Sequence, residues 1–103
     1  MDNLKIYKAL HESKMKKVLA TVVSAVGSTP RGEGSKMIFF EDGTECGTIG
    51  GGCVEIKTKQ VAMELLKKQE FSEEVFINLN GAPGQTSKDV CGGTMRIFLE
   101  KIL

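Results

Sequence analysis

The 103-residue sequence predicts one small α/β (α+β) domain: a mixed sheet of about five strands with two helices, in the order α-β-β-β-α-β-β. Three observations predict it. Residues 18–26, VLATVVSAV, form a β-branched run that reads as a strand. Asp42-Gly43 separates two apolar runs, a hairpin signal that requires antiparallel pairing and excludes a purely parallel sheet. Three consecutive glycines, Gly50 to Gly52, then lead from a strand into an amphipathic stretch.

Taken in order, residues 2–16 read as a helix with Leu4, Tyr7 and Leu10 on one stripe. The run 18–26 is apolar almost throughout, as expected of a strand covered on both faces. A turn-rich loop, residues 27–34, separates it from a strand at 36–40, and a third strand follows the hairpin over 44–49. The second helix is expected over 53–69, with Val54, Thr58, Val61, Ala62, Leu65 and Leu66 on its inner face. Strands over 74–79 and 94–100 flank a polar loop at 80–88.

The length suits one core and is too short for two. A domain this small is only marginally covered, so a partner surface, a second copy included, would help it. Fourteen basic and thirteen acidic residues are mixed along the chain, giving a net charge of +1. The lysine clusters at 14–17 and 67–68 have no interleaved aromatics, and there is no Trp, which argues against nucleic acid as a partner. No apolar run approaches the roughly 20 residues of a membrane span. With no signal pattern at residues 1–3 and an odd number of cysteines (Cys46, Cys53, Cys91), the expectation is a cytoplasmic protein with free thiols.

Function concentrates in the glycine-rich loops. A strand, three glycines and a helix would turn bare backbone N–H groups and a positive helix end toward a ligand such as a phosphate. The alternative is a tight turn needing positive φ. The spacing is neither the dinucleotide-binding fingerprint nor a P-loop. With Gly52 as N-cap, Glu55 falls at N3, where it caps the helix or meets a ligand. Cys53 lies in the first helical turn, where the amide dipoles favour a thiolate; a small, half-buried packing residue is the other reading.

Cys91 in Val90-Cys91-Gly92-Gly93 has a similar claim, because the adjacent glycines leave it accessible. Cys46, within a strand, reads as core. In the loop 27–34, Ser28, Thr29 and Arg31 offer two hydroxyls and a planar fork to an anion, and Pro30 stiffens them. The cysteine spacings match no zinc pattern. His11, the only histidine, sits on the first helix away from these loops, so no Ser-His-Asp or Cys-His arrangement is visible.

Gly27-Ser28-Thr29-Pro30-Arg31, Gly34-Ser35-Lys36-Met37, Gly47-Thr48-Ile49-Gly50-Gly51-Gly52-Cys53-Val54-Glu55 and Cys91-Gly92-Gly93 occur in one order. In that order they resemble the N-terminal domain of the xanthine dehydrogenase accessory factor family (XdhC/CoxI), over nearly the whole chain. The resemblance implies an accessory role for a molybdenum hydroxylase. In that role the chain binds the molybdenum cofactor (molybdopterin) transiently, supports its sulfuration and delivers it to the apoenzyme. The cofactor site would comprise Ser28, Thr29, Arg31, Gly50, Gly51, Gly52, Cys53, Glu55, Cys91, Gly92 and Gly93, with Cys53 and Cys91 as candidate thiols.

The resemblance further implies a cysteine desulfurase as a partner. Family members usually continue into a C-terminal Rossmann-like domain absent from this sequence, so the expectation is either a short member working with a separate Rossmann-like half or a fragment of a longer protein. Two alternatives stay open. One is a catalytic half that transfers sulfur or a nucleotide to the cofactor; the other is a protein-docking module that binds no cofactor.

Overall fold

The computed structural model describes residues 3–79 and 92–102. Its elements are α1 (Asn3–Glu12), β1 (Lys17–Gly27), β2 (Lys36–Phe40), β3 (Glu45–Gly47), α2 (Gly52–Leu65), β4 (Ser72–Asn78) and β5 (Gly93–Ile102). The number and order of elements are those expected. The five strands form one sheet in the order β3-β2-β1-β5-β4.

Every pairing in that sheet is antiparallel, where the sequence predicts a mixed sheet. The crossover explains the difference. β3, α2 and β4 make a strand-helix-strand connection whose two strands run in the same direction, but they stand at opposite edges with three strands between them. α2 therefore spans the sheet diagonally, and no parallel neighbours result.

The core lies between α2 and one face of the sheet. Val18, Ala20 and Val22 of β1, Met37 and Phe39 of β2, Val75 and Ile77 of β4, and Met95, Ile97 and Leu99 of β5 alternate onto this face. Val54, Ala62 and Leu65 of α2 meet them, each 2% exposed or less. Thr58, also on the inner face, is buried and satisfies its hydroxyl by donating to the Val54 carbonyl at 2.7 Å. The inner face of α2 is thus the one its periodicity predicts.

α1 differs from expectation. Its buried side chain is Ile6, while Leu4 and Tyr7 are exposed, so the apolar stripe is not the packed one. Among the described residues α1 packs mainly against β2 and β3, covering the other face of that corner, where Ile38 is buried. Beyond the corner that face is less covered among the described residues. Leu19 and Thr21 of β1 are half-buried and Val23 and Val26 exposed, so β1 is fully covered on one face, not two. A register shift between Val22 and Ser24 marks a bulge that re-aims the last residues of β1.

The hairpin between β2 and β3 turns at Asp42-Gly43 as expected. Phe40 N–H donates to Thr44 O at 2.9 Å and Gly43 N–H to Phe40 O at 2.9 Å. The Asp42 carboxylate accepts from Thr44 N–H at 2.9 Å and Thr44 Oγ1 at 2.6 Å. Lys59 of α2 donates to Gly43 O at 2.7 Å, tying the helix to the turn.

Candidate functional site

The connections rich in glycine all fall at one end of the sheet. β1 ends there at Gly27 beside the start of β5, since Gly27 pairs with Gly93. β2 begins there and β3 ends there, with Met37 opposite Gly47; β4 ends there, with Asn78 opposite Thr94. α2 begins at the same end, at Gly52. His11 lies in the last turn of α1, which leads to the opposite end of β1, and it is exposed.

Two close approaches knit three of the sequence-predicted blocks together. At Gly50, a side chain would place its Cβ 2.6 Å from Pro30 Cγ and 3.9 Å from Arg31 Cγ. The loop carrying Arg31 therefore lies directly over Gly50, the first glycine of the triplet. At Gly93, a Cβ would stand 2.6 Å from Val26 O and 2.8 Å from Thr29 Cγ2, and nearer still to Ser28 O. So Gly92-Gly93 packs under Ser28-Thr29, while Pro30-Arg31 packs over Gly50. The loop 28–35 is itself hooked to β1, with Val22 N–H donating to Ser35 O at 2.9 Å and Gly34 N–H to Val22 O at 2.8 Å. Thr29 spends its hydroxyl inside the loop, donating to Arg31 O at 3.1 Å. Among the described residues Arg31 is exposed and makes no ion pair.

The glycine triplet is built differently from a row of bare amides. Ile49 N–H donates to Glu55 Oε2 at 3.1 Å and Gly51 N–H to the same oxygen at 2.7 Å. Thr48 Oγ1 also donates to Glu55 Oε2, and accepts from Gly50 N–H at 3.1 Å. The N–H groups of residues 49 to 51 all point inward, against the expectation that Gly50 and Gly51 turn theirs to a ligand. The cause is Glu55, whose carboxylate supplies the anion the turn needs. In this structure Glu55 makes the contacts of the capping role, one of the two raised for it.

The N-cap is Gly51, at φ 72° and ψ −174°, and Glu55 falls at N4, not N3. That backbone region is open essentially to glycine alone. Among the described residues the next amides, Gly52, Cys53 and Val54, have no acceptor. The free donors of the helix start are thus shifted one turn outward from the expected place.

Cys53 is exposed and free, at the second helical position. It borders an open cavity of about 410 Å³ between α2 and the end of β4, with Ile56, Lys57, Gln60, Ile77 and Leu79 among its other walls. Cys46 is free and half-buried on the edge strand β3, not core, because nothing pairs with the far side of that three-residue strand. Cys91 lies outside the described residues. Gly92 and Gly93 close the β4–β5 ladder, with Leu79 N–H donating to Gly93 O at 2.7 Å and Gly92 N–H to Leu79 O at 3.1 Å. No cluster of three His, Cys, Asp or Glu side chains suited to a metal ion occurs among the described residues. No helix among them is long and apolar enough to cross a membrane.

Thr48 and Lys57 are not singled out by residue type. Thr48 carried a local signal, a hydroxyl two residues before a glycine. Lys57 carried a weaker one, standing one turn after Cys53.

This arrangement belongs to a known class: residues 10–76 match the XdhC and CoxI family, and the chain is a member of it. It is 37% identical over 93 residues to the protein YqeB of Escherichia coli K12, covering 87% of this chain and 16% of that protein. It is 33% identical over 85 residues to the molybdenum cofactor insertion chaperone PaoD of the same organism, covering 82% of this chain and 26% of PaoD. A crystal structure titled as a xanthine dehydrogenase from Bacillus halodurans superposes with a TM-score of 0.86 at 30% identity, over 100% of this chain and 31% of that one. The chain thus spans between about a sixth and a third of the length of these relatives.

Proposed function

We propose that this chain is an accessory factor for a molybdenum hydroxylase of the xanthine dehydrogenase type, one that binds the molybdenum cofactor, assists its sulfuration and hands it to the apoenzyme. The observation that carries this reading is the convergence at one end of the sheet of Arg31, the free amides of Gly52 to Val54 and the exposed Cys53 thiol. Family membership and the name of PaoD support the same direction.

The residues present suit the group chemically. Molybdopterin carries a phosphate and a dithiolene-bound metal. Unpartnered helix-start amides and a guanidinium suit the phosphate end, and a thiol at the rim suits the soft metal end. Bound there, the cofactor would supply the redox metal that the client enzyme uses. This chain's part is to hold the phosphate end, shield the group and present a sulfur atom beside it. Ser28, Thr29, Gly92 and Gly93 act through shape, since they pack the loops together. Cys91 stands as the second candidate thiol.

A cysteine desulfurase is the proposed sulfur source, and a Rossmann-like half the proposed co-worker. The proposed location is the cytoplasm, in keeping with free thiols at Cys46 and Cys53. The exposure of Cys53 also favours a second reading, in which this thiol carries sulfur as a persulfide during transfer.

The test is anaerobic mixing of the purified protein with molybdopterin, followed by gel filtration. Co-elution that is lost in Arg31→Ala and Cys53→Ala supports cofactor binding. No retention by the wild type overturns it and leaves a docking module. Labelled sulfur trapped on Cys53 after incubation with a desulfurase supports the carrier reading; sulfur that never appears on the chain removes it.

A further inference from the structure

We propose that Glu55 is a positioning residue: its carboxylate is a built-in anion that folds and holds the turn Thr48–Gly51, and it does not contact the cofactor. As a statement about cofactor binding this rests on the reading above. As a statement about the turn it stands alone.

The geometry is unusual for a helix start. An ordinary N-cap residue uses its own side chain to accept from the next amides. Here the N-cap is glycine and has none. The capping oxygen comes from inside the helix instead, one residue later than in a capping box. Glu55 Oε2 gathers Ile49 N–H, Gly51 N–H and Thr48 Oγ1. Thr48 Oγ1 in turn accepts from Gly50 N–H, so one carboxylate directs four donors, three of them consecutive amides.

Such bonds to an ionised acceptor are about twice as strong as neutral ones. They also hold Gly50 in place under Pro30. A half-buried carboxylate engaged in this way is a fixed part of the scaffold. The turn is therefore made before any ligand arrives, and the free amides of Gly52 to Val54 are aimed by it.

Amide hydrogen exchange and amide NMR shifts on the uniformly labelled wild-type chain, Glu55→Ala and Glu55→Gln test this without any cofactor. In Glu55→Ala, exchange at Ile49 and Gly51 is expected to speed up roughly 10- to 100-fold, the worth of a charged hydrogen bond. The amide of Ile97, on the interior strand β5, keeps its wild-type protection. Added formate, a carboxylate without the tether, restores the slow exchange and the shifts in part. Glu55→Gln keeps the volume but turns one acceptor into a donor, so it falls between the two and is the deciding variant if Glu55→Ala does not fold.

Unchanged exchange at Gly51 in either variant, or a loss that formate does not touch, overturns the proposal. Cofactor retention by gel filtration separates the two claims. If the wild type retains none, the functional reading fails while the exchange result still decides the role of Glu55. If Glu55→Ala loses the turn yet retains cofactor as wild type does, the positioning role in binding is overturned.

Discussion

Pro30 closes over Gly50 so tightly that a β-carbon on that glycine would stand 2.6 Å from the ring. Two loops separated by almost twenty residues of sequence are thereby locked against each other at the sheet end. Gly50 also holds φ +134°, a region that residues with a side chain rarely adopt. Gly50→Ala is thus expected to cost roughly 2–4 kcal/mol, from strain plus overpacking. Urea denaturation measures it, and a loss below about 0.5 kcal/mol would mean that Pro30 moves aside freely.

A different cause operates at Gly93. Its φ is not in the glycine-favoured region, and the obstacle is space alone: Val26 O and Ser28 O occupy the place of a side chain. Backbone atoms cannot swing away, so Gly93→Ala is expected to destabilise by about 2–4 kcal/mol. It should also part the loop 28–31 from the end of β5. Denaturation midpoints together with amide exchange at Thr29 check both consequences.

Leu65, fully buried at the end of α2, belongs to the core that α2 forms with four strands. Leu65→Ala is expected to lose about 2–5 kcal/mol, the range for a buried leucine left as a cavity. Urea denaturation of this variant is the measurement. A cost below about 1 kcal/mol would mean that the core closes over the deletion.

The described thiols should differ sharply in access. In a Cys91→Ser background, a disulfide reagent is expected to modify exposed Cys53 well before half-buried Cys46, by roughly tenfold or more in rate. Cys53→Ser should leave the unfolding midpoint within about 0.5 kcal/mol of the parent. Mass spectrometry of partly modified protein reads the order, and equal rates would contradict the placement of Cys53.

The hairpin turn also acts on an ionisable group. The side-chain and then the backbone hydrogen bond from Thr44 hold the Asp42 carboxyl below its usual value of 3.8. Folding thus favours the ionised form. The resulting stability is fully present above the unfolded value and is lost as pH falls through the lower, folded one. Asp42→Asn should flatten this acid limb of the stability curve below about pH 4. Thermal unfolding of wild type and variant across pH 2 to 6 tests the sign; an unchanged acid limb would show that Asp42 contributes nothing.

The sequence carried much of this architecture because its strongest signals are local. Asp42-Gly43 marked its hairpin through turn chemistry, and the spacing of Val54, Thr58, Ala62 and Leu65 marked the inner face of α2. What escaped depends on which elements meet. Nothing in the residues 18–26 says that α1 will cover mainly the β2–β3 corner, so Val23 and Val26 read as inner residues yet lie exposed. Ile6 escaped for the same reason. At the candidate site, Ser28, Thr29, Arg31, Gly50, Gly93 and Cys53, singled out by type, meet at one end of the sheet, whereas the inward aim of residues 49 to 51 was not legible. That aim depends on a carboxylate one helical turn further on, and distance along a chain does not disclose which of a residue's two possible partners will claim it.

The pairing of β1 with β5 has a consequence for the order in which the chain can be made. The central strand, residues 17–27, has its longest ladder, Lys17–Ile102 to Gly27–Gly93, with residues 93–102, made much later. During synthesis, Val18, Ala20 and Val22 must wait, with the strand's second flank open, until residues 93–102 leave the ribosome. Pairing of such sequence-distant segments is slow. Nascent chains halted before residue 93 should therefore fail to acquire protease resistance, and a holding chaperone would find its main target in that waiting strand.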